Sequence, residues 1–594
     1  MSHIMNDQLD PETQSNVDRW LNENYDPDTK SKIRKLQNDN PEEIIDAFYK
    51  NLTFGTGGLR GIMGVGCNRI NFYTVRAATQ GVADYLNSQT LSSHSSHKVL
   101  IGYDSRHNSR AFAEEAAKVL AGNKINVLLF KDIRPVPLIS FGCRYKKCSA
   151  AIMITASHNP AQYNGYKIYW SDGAQVLSPH ENSISKRINQ ITDLEMIKSV
   201  SSIDDVLIEE VDDEMDKAYL DSVTRLQNYS DVNSLEGSKL KIVYSSLHGT
   251  GITLMPQILN RWGFNDIDYV DQQIVPDGDF PTSPSPNPEE PKTLALGIQK
   301  LIDAKGDVLI ATDPDADRVG VAILHKGKVK IFSGNQIASL LLNHVCDALS
   351  FKNKMPANAA FIKTIVTTEL FQAIADYYQK PCFSVLPGFK YIAEKIRQWE
   401  NEPRGNQFIF GGEESNGFLY GTQTRDKDAI SIGALVCEMA LQAKLKGKTL
   451  LDLLYDLYRQ YGVYEEDIST IKFDDSRAGK EKMAMSMQLL RRSPPITITG
   501  VDVLFFEDFE QSIKFDFKSH KMEPLQQPKS EILLFWLEDG SKLIVRPSGT
   551  EPKIKIYSCV FEKSFESIEE ALKKCETKAN AYTAALKEIL NEER

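Results

Sequence analysis

At 594 residues, the chain is too long for a single hydrophobic core, and its length indicates about three to five domains. Its 41% hydrophobic and 25% charged residues are typical of a water-soluble globular protein. The net charge of −11 argues against a nucleic-acid partner, because such binding requires a basic surface, whereas a small anionic substrate can still bind to local cations.

Neither the cysteines nor the apolar segments indicate secretion or a membrane. The eight cysteines include no C-x-x-C pair and hence no zinc-type spacing, which favours a reduced protein. Residues 1–10 lack the apolar region of a signal peptide, and no apolar run is long enough to span a bilayer. We therefore expect a cytoplasmic protein without a membrane partner.

Residues 1–50 are predicted to be helical. Asp10-Pro11 and Asn40-Pro41 each offer a helix N-cap followed by proline at the first helical position. The glycine-rich stretch 54–61 comes next and fits two interpretations, a plain turn or an anion-binding loop with Arg60 as its cation. A Walker A loop is excluded, because no Lys-Ser/Thr pair follows at the required spacing.

Strands and amphipathic helices alternate from residue 98 onward, which predicts mainly parallel α/β sheets. The plan restarts near residues 240 and 328 without a strict sequence repeat, so we expect three similar α/β domains with mixed sheets. The last part of the chain is typical of an α+β domain, with extended strands and a long terminal helix. The predicted boundaries are 1–228 for domain I, 229–327 for domain II, 328–460 for domain III and 461–594 for domain IV.

Individual elements follow from the same patterns. Strands are predicted at 99–103, 125–130, 150–154, 240–245, 307–311, 360–366 and 407–410. Helices are predicted at 109–120, 215–226, 254–262, 291–304, 335–349 and 567–590. In domain IV, residues 496–517 and 531–560 are predicted to be extended.

The buried strand 150–154 leads directly to a pair of reactive side chains. Ser157 and His158 follow it in the sequence Thr-Ala-Ser-His-Asn-Pro, where Pro160 resists continuing the strand. A hydroxyl beside an imidazole at the end of a strand is well placed to react, but serine-histidine neighbours are also common in ordinary loops. The pair is a candidate nucleophile because other loops supply matching chemistry.

Three aspartates alternate in a loop that follows a predicted strand. Asp313, Asp315 and Asp317 offer hard oxygen ligands without histidine or cysteine, which suits Mg²⁺. An EF-hand is excluded, because its sixth and twelfth positions would be Arg318 and Leu324. Three carboxylates after a buried strand would repel each other without a cation, so a metal site is favoured over a solvated acidic turn.

Two further loops contain groups that bind phosphates and sugars. Arg546 begins an Arg-Pro-Ser-Gly-Thr stretch whose guanidinium and hydroxyls, with Lys553 nearby, suit a phosphate dianion, although a polar hairpin turn is the alternative. Glu413 and Ser415 lie in a glycine-flanked turn and could bind vicinal sugar hydroxyls, but a solvated acidic loop would look the same. Lys427 follows shortly after and adds a cation, which a surface charge run explains equally well.

Four of these motifs, taken in order, resemble the α-D-phosphohexomutase family, which includes phosphoglucomutases and phosphomannomutases. They are the sequences TASHNP, DPDADR, GEESNG and RPSGTEPK. The resemblance covers nearly the whole chain. It implies three α/β domains and a fourth of a different fold around a central active-site cleft. It also implies an intramolecular phosphotransferase, an isomerase that interconverts glucose 1-phosphate and glucose 6-phosphate.

The resemblance implies a role for each motif. The catalytic residues would be Ser157 as phosphoserine, His158, Lys167, Arg60 and Lys427. The Mg²⁺ ligands would be Asp313, Asp315, Asp317 and the phosphorylated Ser157. The substrate would be bound by Lys390, Glu413, Ser415, Arg546, Ser548, Gly549 and Thr550, of which the last four would hold the phosphate that does not react.

These roles imply a reaction through a sugar bisphosphate. Ser157 would give its phosphoryl group to a sugar phosphate, and the resulting glucose 1,6-bisphosphate, both intermediate and activator, would return its other phosphate to the serine. His158 and Lys167 are both candidates for the general base. The expected partners are small sugar phosphates, and the expected assembly is a monomer or a weak homodimer.

Several alternatives stay open at this point. Pro314 and Ala316 stand where many members of the family have glycine, and in this the chain resembles the branch with phosphopentomutases and glucose-1,6-bisphosphate synthases. A phosphomannomutase is another alternative, although the loop with Glu413 resembles that of glucose-handling members. A metal-dependent sugar-phosphate phosphohydrolase is opposed by the sugar and phosphate loops. A non-catalytic sensor is opposed by Ser157 and the three aspartates.

Overall fold

The computed structural model describes residues 9–55, 58–89, 96–474, 477–548 and 553–591. These residues form two compact units. The first takes its residues from 1–334, 393–410 and 415–446, and the second from 335–392, 411–414 and 447–594. Within the described residues, no helix is both long and apolar enough to cross a bilayer.

Three helices open the first unit, as the sequence predicts. They are α1 Pro11–Asn22, α2 Pro27–Asp39 and α3 Pro41–Phe48. The side chains of Asp10, Asp26 and Asn40 accept hydrogen bonds from the first turn of each helix, and proline follows each cap because no amide hydrogen is needed there. The three helices bury a small core that includes Trp20 and Phe48.

A six-stranded sheet follows, in the order β1-β5-β4-β2-β3-β6. Its strands are β1 Gly58–Ile62, β2 Lys98–Tyr103, β3 Asn126–Phe130, β4 Ala150–Ile154, β5 Tyr163–Trp170 and β6 Ile208–Val211. β4, β2, β3 and β6 are parallel, whereas β5 and β1 are antiparallel to their neighbours. The helices of this part are α4 Phe72–Asn87, α5 Ser109–Gly122, α6 Val136–Tyr145, α7 His180–Asn189, α8 Glu214–Thr224 and α9 Ser230–Glu236.

Part of the glycine-rich stretch fits the plain turn, because Gly55 and Gly58 exchange main-chain hydrogen bonds of 2.9 and 3.2 Å, and part of it forms a strand, which neither interpretation of the sequence anticipated. Its second half belongs to β1, and Thr56 and Gly57 lie outside the described residues. A Cβ atom at Gly58 would lie 2.1 Å from the carbonyl oxygen of Tyr166 on β5. Glycine is therefore needed here for the close approach of two strands, and Arg60 is presented by a strand rather than by a turn.

The second sheet of the first unit has the order β11-β10-β9-β7-β8. Its strands are β7 Ile242–Ser245, β8 Ile267–Tyr269, β9 Val308–Thr312, β10 Val319–His325 and β11 Lys328–Ile331, and its helices are α10 Met255–Arg261 and α11 Ala295–Asp303. β7 is parallel to both β8 and β9, while β10 and β11 are antiparallel. The sheet is mixed, as predicted, and the aspartate loop connects β9 to β10.

Residues 334–461 contribute to both units. Their elements are α12 Gly334–Phe351, β12 Ala359–Thr364, α13 Glu369–Tyr377, β13 Cys382–Val385, α14 Phe389–Asn401, β14 Gln407–Gly412, β15 Phe418–Tyr420, α15 Ala429–Leu445 and α16 Leu450–Tyr461. In the second unit, β12 and β13 pair in parallel. In the first unit, α15 packs against α10, β9 and β10, close to the aspartate loop.

The C-terminal part lies in the second unit and is built on an antiparallel sheet. Its elements are β16 Val463–Lys472, α17 Arg477–Arg492, β17 Thr497–Ile498, β18 Val501–Asp508, β19 Ile513–Asp516, β20 Lys521–Pro524, β21 Leu533–Leu537, β22 Lys542–Pro547, β23 Lys553–Glu562 and α18 Ile568–Asn591. The order is β16-β23-β22-β21-β18-β19-β20, and α18 packs against β16 and β23. The predicted strands and terminal helix are confirmed, whereas β16 and α17 were not predicted.

Candidate active site

The candidate nucleophile follows the end of β4. Ser157 is 2% exposed and has a φ of 53°, a left-handed conformation that costs a non-glycine residue about 1–2 kcal/mol. Its Oγ donates a hydrogen bond of 2.8 Å to Asp313 Oδ2. His158 Nδ1 lies 3.3 Å from the same Oγ. Within the first unit, the serine motif and the aspartate motif therefore form one site, although they come from different sheets.

The three aspartates converge as the sequence predicts. Asp313, Asp315 and Asp317 are buried, and one carboxylate oxygen from each lies within 4.8 Å of the other two. Asp313 Oδ1 accepts the main-chain N–H groups of Asp317 and Arg318 at 3.0 and 2.9 Å, which closes the loop on itself.

Within the described residues, the buried Oδ1 atoms of Asp315 and Asp317 accept no hydrogen bond. A buried carboxylate oxygen without a partner is unfavourable. These two oxygens, Asp313 Oδ2 and the Ser157 hydroxyl are the hard donor set that a small divalent cation prefers. The residues present therefore fit a metal ion.

Two lysines bind the other side of the aspartate loop. Lys167 on β5 donates hydrogen bonds to Asp315 Oδ2 at 2.7 Å and to Asp317 Oδ2 at 3.1 Å. Lys427 Nζ lies 3.2 Å from Asp317 Oδ2 and donates to Asp426 at 2.8 Å. Because the lysines use the Oδ2 atoms, the Oδ1 atoms of Asp315 and Asp317 remain directed elsewhere.

The charges of the site shift the pKa values of its members in opposite directions. Burial, reinforced by the negative charges of Asp315 and Asp317, raises the pKa of Asp313 well above its usual range. Burial also acts to raise the pKa of Asp317, but Lys167 and Lys427 together with Arg318 hold that pKa below its usual range. The site therefore favours the ionised form of Asp317 and disfavours the ionised form of Asp313.

The remaining residues of the predicted catalytic set lie around the serine loop. Arg60 is exposed on β1 and donates a hydrogen bond of 2.9 Å to Asn159 Oδ1. His158 is partly buried, and burial together with the positive charges of Arg318 and Arg60 holds its pKa well below the usual range. Its imidazole is therefore neutral near pH 7.

Sequence reasoning missed two buried residues of this site. Asp104 accepts a hydrogen bond of 2.6 Å from Thr155 Oγ1, and Arg106 donates one of 2.6 Å to the carbonyl oxygen of Ser157. Both follow the carboxyl end of β2, which is the parallel neighbour of β4. Since ligands bind at the carboxyl ends of parallel strands, the position of Asp104 was a signal that could have identified it.

The predicted sugar-binding residues are divided between the two units. In the second unit, Glu413 is 7% exposed and its Oε1 accepts a hydrogen bond of 2.8 Å from the N–H of Gly388. Lys390, in the first turn of α14, is buried, and its ammonium lies 5.5 Å from the ring centre of Tyr391. Ser415 is half-buried in the first unit.

The predicted phosphate loop begins at the end of β22 in the second unit. Arg546 hydrogen-bonds to the side chain of Tyr557 on β23, while burial and the charge of Glu414 raise the pKa of this tyrosine. Tyr557 is therefore close enough to both Arg546 and Glu414 for their charges to shift its pKa. The main-chain N–H of Ser548 donates to the carbonyl oxygen of Lys553 at 2.8 Å. Gly549 and Thr550, also predicted to bind phosphate, lie outside the described residues.

Three segments of the chain match models of one protein family. Residues 51–195, 217–326 and 333–461 match the phosphoglucomutase/phosphomannomutase α/β/α domains I, II and III, in that order. With the β-rich C-terminal part, these matches confirm the predicted fold class of three α/β domains and a fourth of a different fold. The boundaries predicted at 228, 327 and 460 stay predictions.

Curated relatives extend the match over most of the chain. A phosphoglucomutase of Staphylococcus aureus (strain MSSA476) is 36% identical over 525 residues, which is 88% of this chain and 92% of the relative. A phosphoglucomutase of Staphylococcus epidermidis (strain RP62A) is 38% identical over 521 residues, which is 87% of this chain and 92% of the relative.

Solved structures show a likeness of fold. The open form of the exocytosis-sensitive phosphoprotein pp63/parafusin, a phosphoglucomutase from Paramecium, matches with a TM-score of 0.66 and 18% identity, covering 92% of this chain and 97% of that one. A phosphoglucomutase/phosphomannomutase family protein from Burkholderia thailandensis matches with a TM-score of 0.63 and 17% identity, covering 89% of this chain and 98% of that one.

Proposed function

The chain belongs to the phosphoglucomutase/phosphomannomutase family of intramolecular phosphotransferases, and we propose that it interconverts glucose 1-phosphate and glucose 6-phosphate. The observation that carries this proposal is the hydrogen bond from Ser157 Oγ to Asp313, beside two carboxylate oxygens that accept no hydrogen bond from any described residue. Relatives 36% and 38% identical that are named phosphoglucomutase support the choice of substrate.

Ser157 is the residue that becomes phosphorylated and passes its phosphoryl group to the sugar. In the forward step, the bond between phosphorus and Ser157 Oγ breaks as a sugar hydroxyl oxygen forms a bond to the same phosphorus. The product is glucose 1,6-bisphosphate, which serves as intermediate and activator. After the intermediate reverses its orientation, its other phosphoryl group returns to Ser157, and the isomeric monophosphate is released.

Mg²⁺ is the metal we propose for Asp313, Asp315, Asp317 and the Ser157 oxygen. When bound, it supplies positive charge that offsets the charge on the transferring phosphoryl group. The Oδ1 atoms of Asp315 and Asp317 support this assignment, since they accept no hydrogen bond within the described residues. The ligand type also supports it, because the described group consists of aspartates and includes no histidine or cysteine. Lys167 and Lys427 hold the Oδ2 atoms, and so orient the carboxylates toward the ion.

His158 is our choice for the group that accepts the proton of the attacking sugar hydroxyl. Its Nδ1 faces Ser157 Oγ at 3.3 Å, whereas Lys167 Nζ is engaged by both Asp315 and Asp317. A base must lie within hydrogen-bond reach of the proton that it removes, and of the two candidates His158 is the one that contacts the oxygen to which the phosphoryl group is bound. Arg60 on β1 contacts the serine loop through Asn159 and adds positive charge for the transferred phosphoryl group.

The residues that bind the sugar and the second phosphate are assigned by resemblance to the family. Glu413, Ser415 and Lys390 would bind the sugar hydroxyls. Arg546, Ser548, Gly549 and Thr550 would bind the phosphate that does not react. The buried position of Glu413 and the contact of Arg546 with Tyr557 support these roles. The expected monomer or weak homodimer and the expected cytoplasmic location stay predictions.

The proposal is tested by a coupled assay. The purified chain, supplied with glucose 1-phosphate, Mg²⁺ and a trace of glucose 1,6-bisphosphate, should form glucose 6-phosphate stoichiometrically. Release of inorganic phosphate without isomerisation would instead indicate a phosphohydrolase. Accumulation of the bisphosphate from an external phosphoryl donor would indicate a bisphosphate synthase.

A further inference from the structure

The main chain on both sides of Ser157 is held by side chains. Thr155 Oγ1 accepts a hydrogen bond of 2.8 Å from the N–H of Ser157. Arg106 Nη2 donates a hydrogen bond of 2.6 Å to the carbonyl oxygen of Ser157. The dihedral angles of Ser157 are set by the two peptide groups that flank it. Fixing both peptide groups therefore fixes the direction of the Cα–Cβ bond that carries Oγ, and it maintains a φ of 53° that an isolated serine avoids. From this bond, Oγ reaches Asp313 Oδ2 at 2.8 Å.

Arg106 commits its whole guanidinium to this arrangement. The side chain is fully buried, and Nη2 also donates to the carbonyl oxygen of Asn159 at 2.5 Å. Nη1 donates to the carbonyl oxygens of Pro160 and Tyr163 at 2.8 and 3.0 Å. Nε lies 3.3 Å from Asp104 Oδ2. The four N–H groups of Nη1 and Nη2 are thus directed to main-chain acceptors, whereas Nε pairs with Asp104 by charge and makes no hydrogen bond within the described residues.

Asp104 connects this guanidinium to the opposite side of the nucleophile. Its Oδ2 accepts a hydrogen bond of 2.6 Å from Thr155 Oγ1. The hydroxyl proton of Thr155 is thereby committed, and the lone pairs of its oxygen face the N–H of Ser157. Asp104 Oδ1 accepts hydrogen bonds from Ser109 Oγ at 2.8 Å and from the main-chain N–H of Arg106 at 3.0 Å. Both carboxylate oxygens of Asp104 are thus hydrogen-bonded, which offsets the cost of burying its charge.

We propose that Arg106, oriented by Asp104, is a positioning residue that aims Ser157 Oγ at the aspartate loop. It touches neither substrate nor the transferred phosphoryl group and acts only through the main chain of the nucleophile, so this role rests on the proposed phosphoserine function. Without the four carbonyl contacts, Ser157 can relax to a negative φ, which moves Oγ away from Asp313. Misplacing a reacting atom by about 1 Å is enough to lower a rate by about a hundredfold.

Arg106→Lys is the variant that tests this role, because lysine keeps the charge but has three donors that cannot span four carbonyl groups. Arg69→Lys is the matched control. Arg69 is also buried, pairs with Asp46 at 2.7 Å and donates to two main-chain carbonyl groups, at residues 46 and 68. For Arg106→Lys, we expect kcat to fall by about 30- to 100-fold with KM within about threefold of wild type. Arg69→Lys should keep both constants within about threefold at a similar loss of Tm. A folded Arg106→Lys enzyme with near-normal kcat overturns the proposal.

Thr155→Val changes a hydrogen bond of the same main chain without changing Arg106. It replaces Arg106→Lys if that variant fails to fold. It removes the acceptor of the Ser157 N–H, together with the contacts of Thr155 Oγ1 to Asp104 and, at 3.3 Å, to Asp315 Oδ2, and it leaves the guanidinium in place. We expect kcat to fall again with KM retained. A crystal structure of either variant adds a readout that does not depend on activity. We expect Ser157 to leave the left-handed region and Oγ to leave Asp313, and retention of both overturns the proposal. A wild-type chain without mutase activity would contradict the proposed function alone.

Discussion

Ser157 Oγ donates a hydrogen bond of 2.8 Å to Asp313 Oδ2, and this contact joins two motifs that lie 156 residues apart in the chain. It places the hydroxyl where a phosphoryl group on serine would complete the metal site. Ser157→Ala is therefore expected to lose nearly all turnover in the coupled assay, while Ser199→Ala, on an exposed serine of the same unit, should keep it. Peptide mapping should find phosphate on Ser157 in the active enzyme. Near-normal activity of Ser157→Ala would contradict a covalent mechanism.

Metal binding should be visible without any assay of activity. A metal ion that binds the folded state and not the unfolded chain raises the Tm, so our proposal predicts that Mg²⁺ raises the Tm of the wild-type protein. Asp315→Asn should weaken this effect strongly, whereas Asp303→Asn, on an exposed aspartate, should leave it unchanged. Excess chelator should abolish turnover and added Mg²⁺ should restore it. Full activity in excess chelator would show that the three aspartates have another purpose.

Arg546 is expected to act in binding rather than in chemistry. If it holds the phosphate that does not react in both orientations of the intermediate, its contact is equally strong in ground and transition states. Arg546→Ala should then raise KM by about ten- to a hundredfold with a smaller change in kcat. Arg492→Ala, on an exposed arginine of the same unit, is the control. A collapse of kcat at constant KM would place Arg546 at the transfer centre.

The stability of the protein should fall between about pH 4.5 and pH 7 because of Glu466. Burial raises the pKa of this residue on β16 to about 7, even though Asn335 donates a hydrogen bond of 3.0 Å to its carboxylate. The unfolded chain has a pKa near 4.3 at this position, so the folded state binds the extra proton over this range, and folding loses up to about 3 kcal/mol as the pH rises through it.

Glu466→Gln removes this titration and should keep the hydrogen bond. Measured by urea unfolding, it should match the wild type near pH 4.5 and exceed it by about 1–3 kcal/mol at pH 8. Glu531→Gln, on an exposed glutamate of the same unit, should show no such trend. A difference between Glu466→Gln and wild type that does not vary with pH would refute the role of Glu466.

Glucose 1-phosphate should be the preferred substrate, followed by mannose 1-phosphate and then ribose 1-phosphate. Glucose and mannose differ only at C2, which a contact from Glu413 to hydroxyls remote from C1 and C6 barely touches. A pentose lacks part of that hydroxyl set, and the loss of a hydrogen bond from substrate to the buried Glu413 carboxylate should cost about 1–3 kcal/mol. Values of kcat/KM for the three substrates decide the order. A pentose phosphate in first place would indicate a phosphopentomutase.

Elements with a strong local signal were predictable from the sequence. β4 was predicted to the residue, because 150–154 is apolar throughout and the strand is buried along its whole length. The convergence of the three aspartates was predictable, because their carboxylates are close in sequence and need only two turns to meet. The helix predicted at 291–304 begins at Ala295 instead, because the residues before it form turns.

Features that depend on contacts between residues far apart in the chain could not be predicted from the sequence. Arg106 lies 51 residues from Ser157, and it binds carbonyl groups that every residue carries, so no side-chain pattern marks the contact. Gly58 was predictable as a turn residue, but its role in the close approach of β1 to β5 was not. Lys167 was identified only by resemblance, because its pairing with Asp315 joins two different sheets.

The order of segments along the chain has a consequence for biosynthesis. Residues 393–410 and 415–446 belong to the first unit, yet residues 335–392 of the second unit are translated before them. Because a chain leaves the ribosome N-terminus first, the aspartate loop meets Lys167, which precedes it, as soon as it emerges. Lys427 and α15 reach the loop only after part of the second unit has been made. A fragment that ended at residue 334 would therefore carry the nucleophile and the aspartates without half of their lysine partners, so the first unit is completed late in translation.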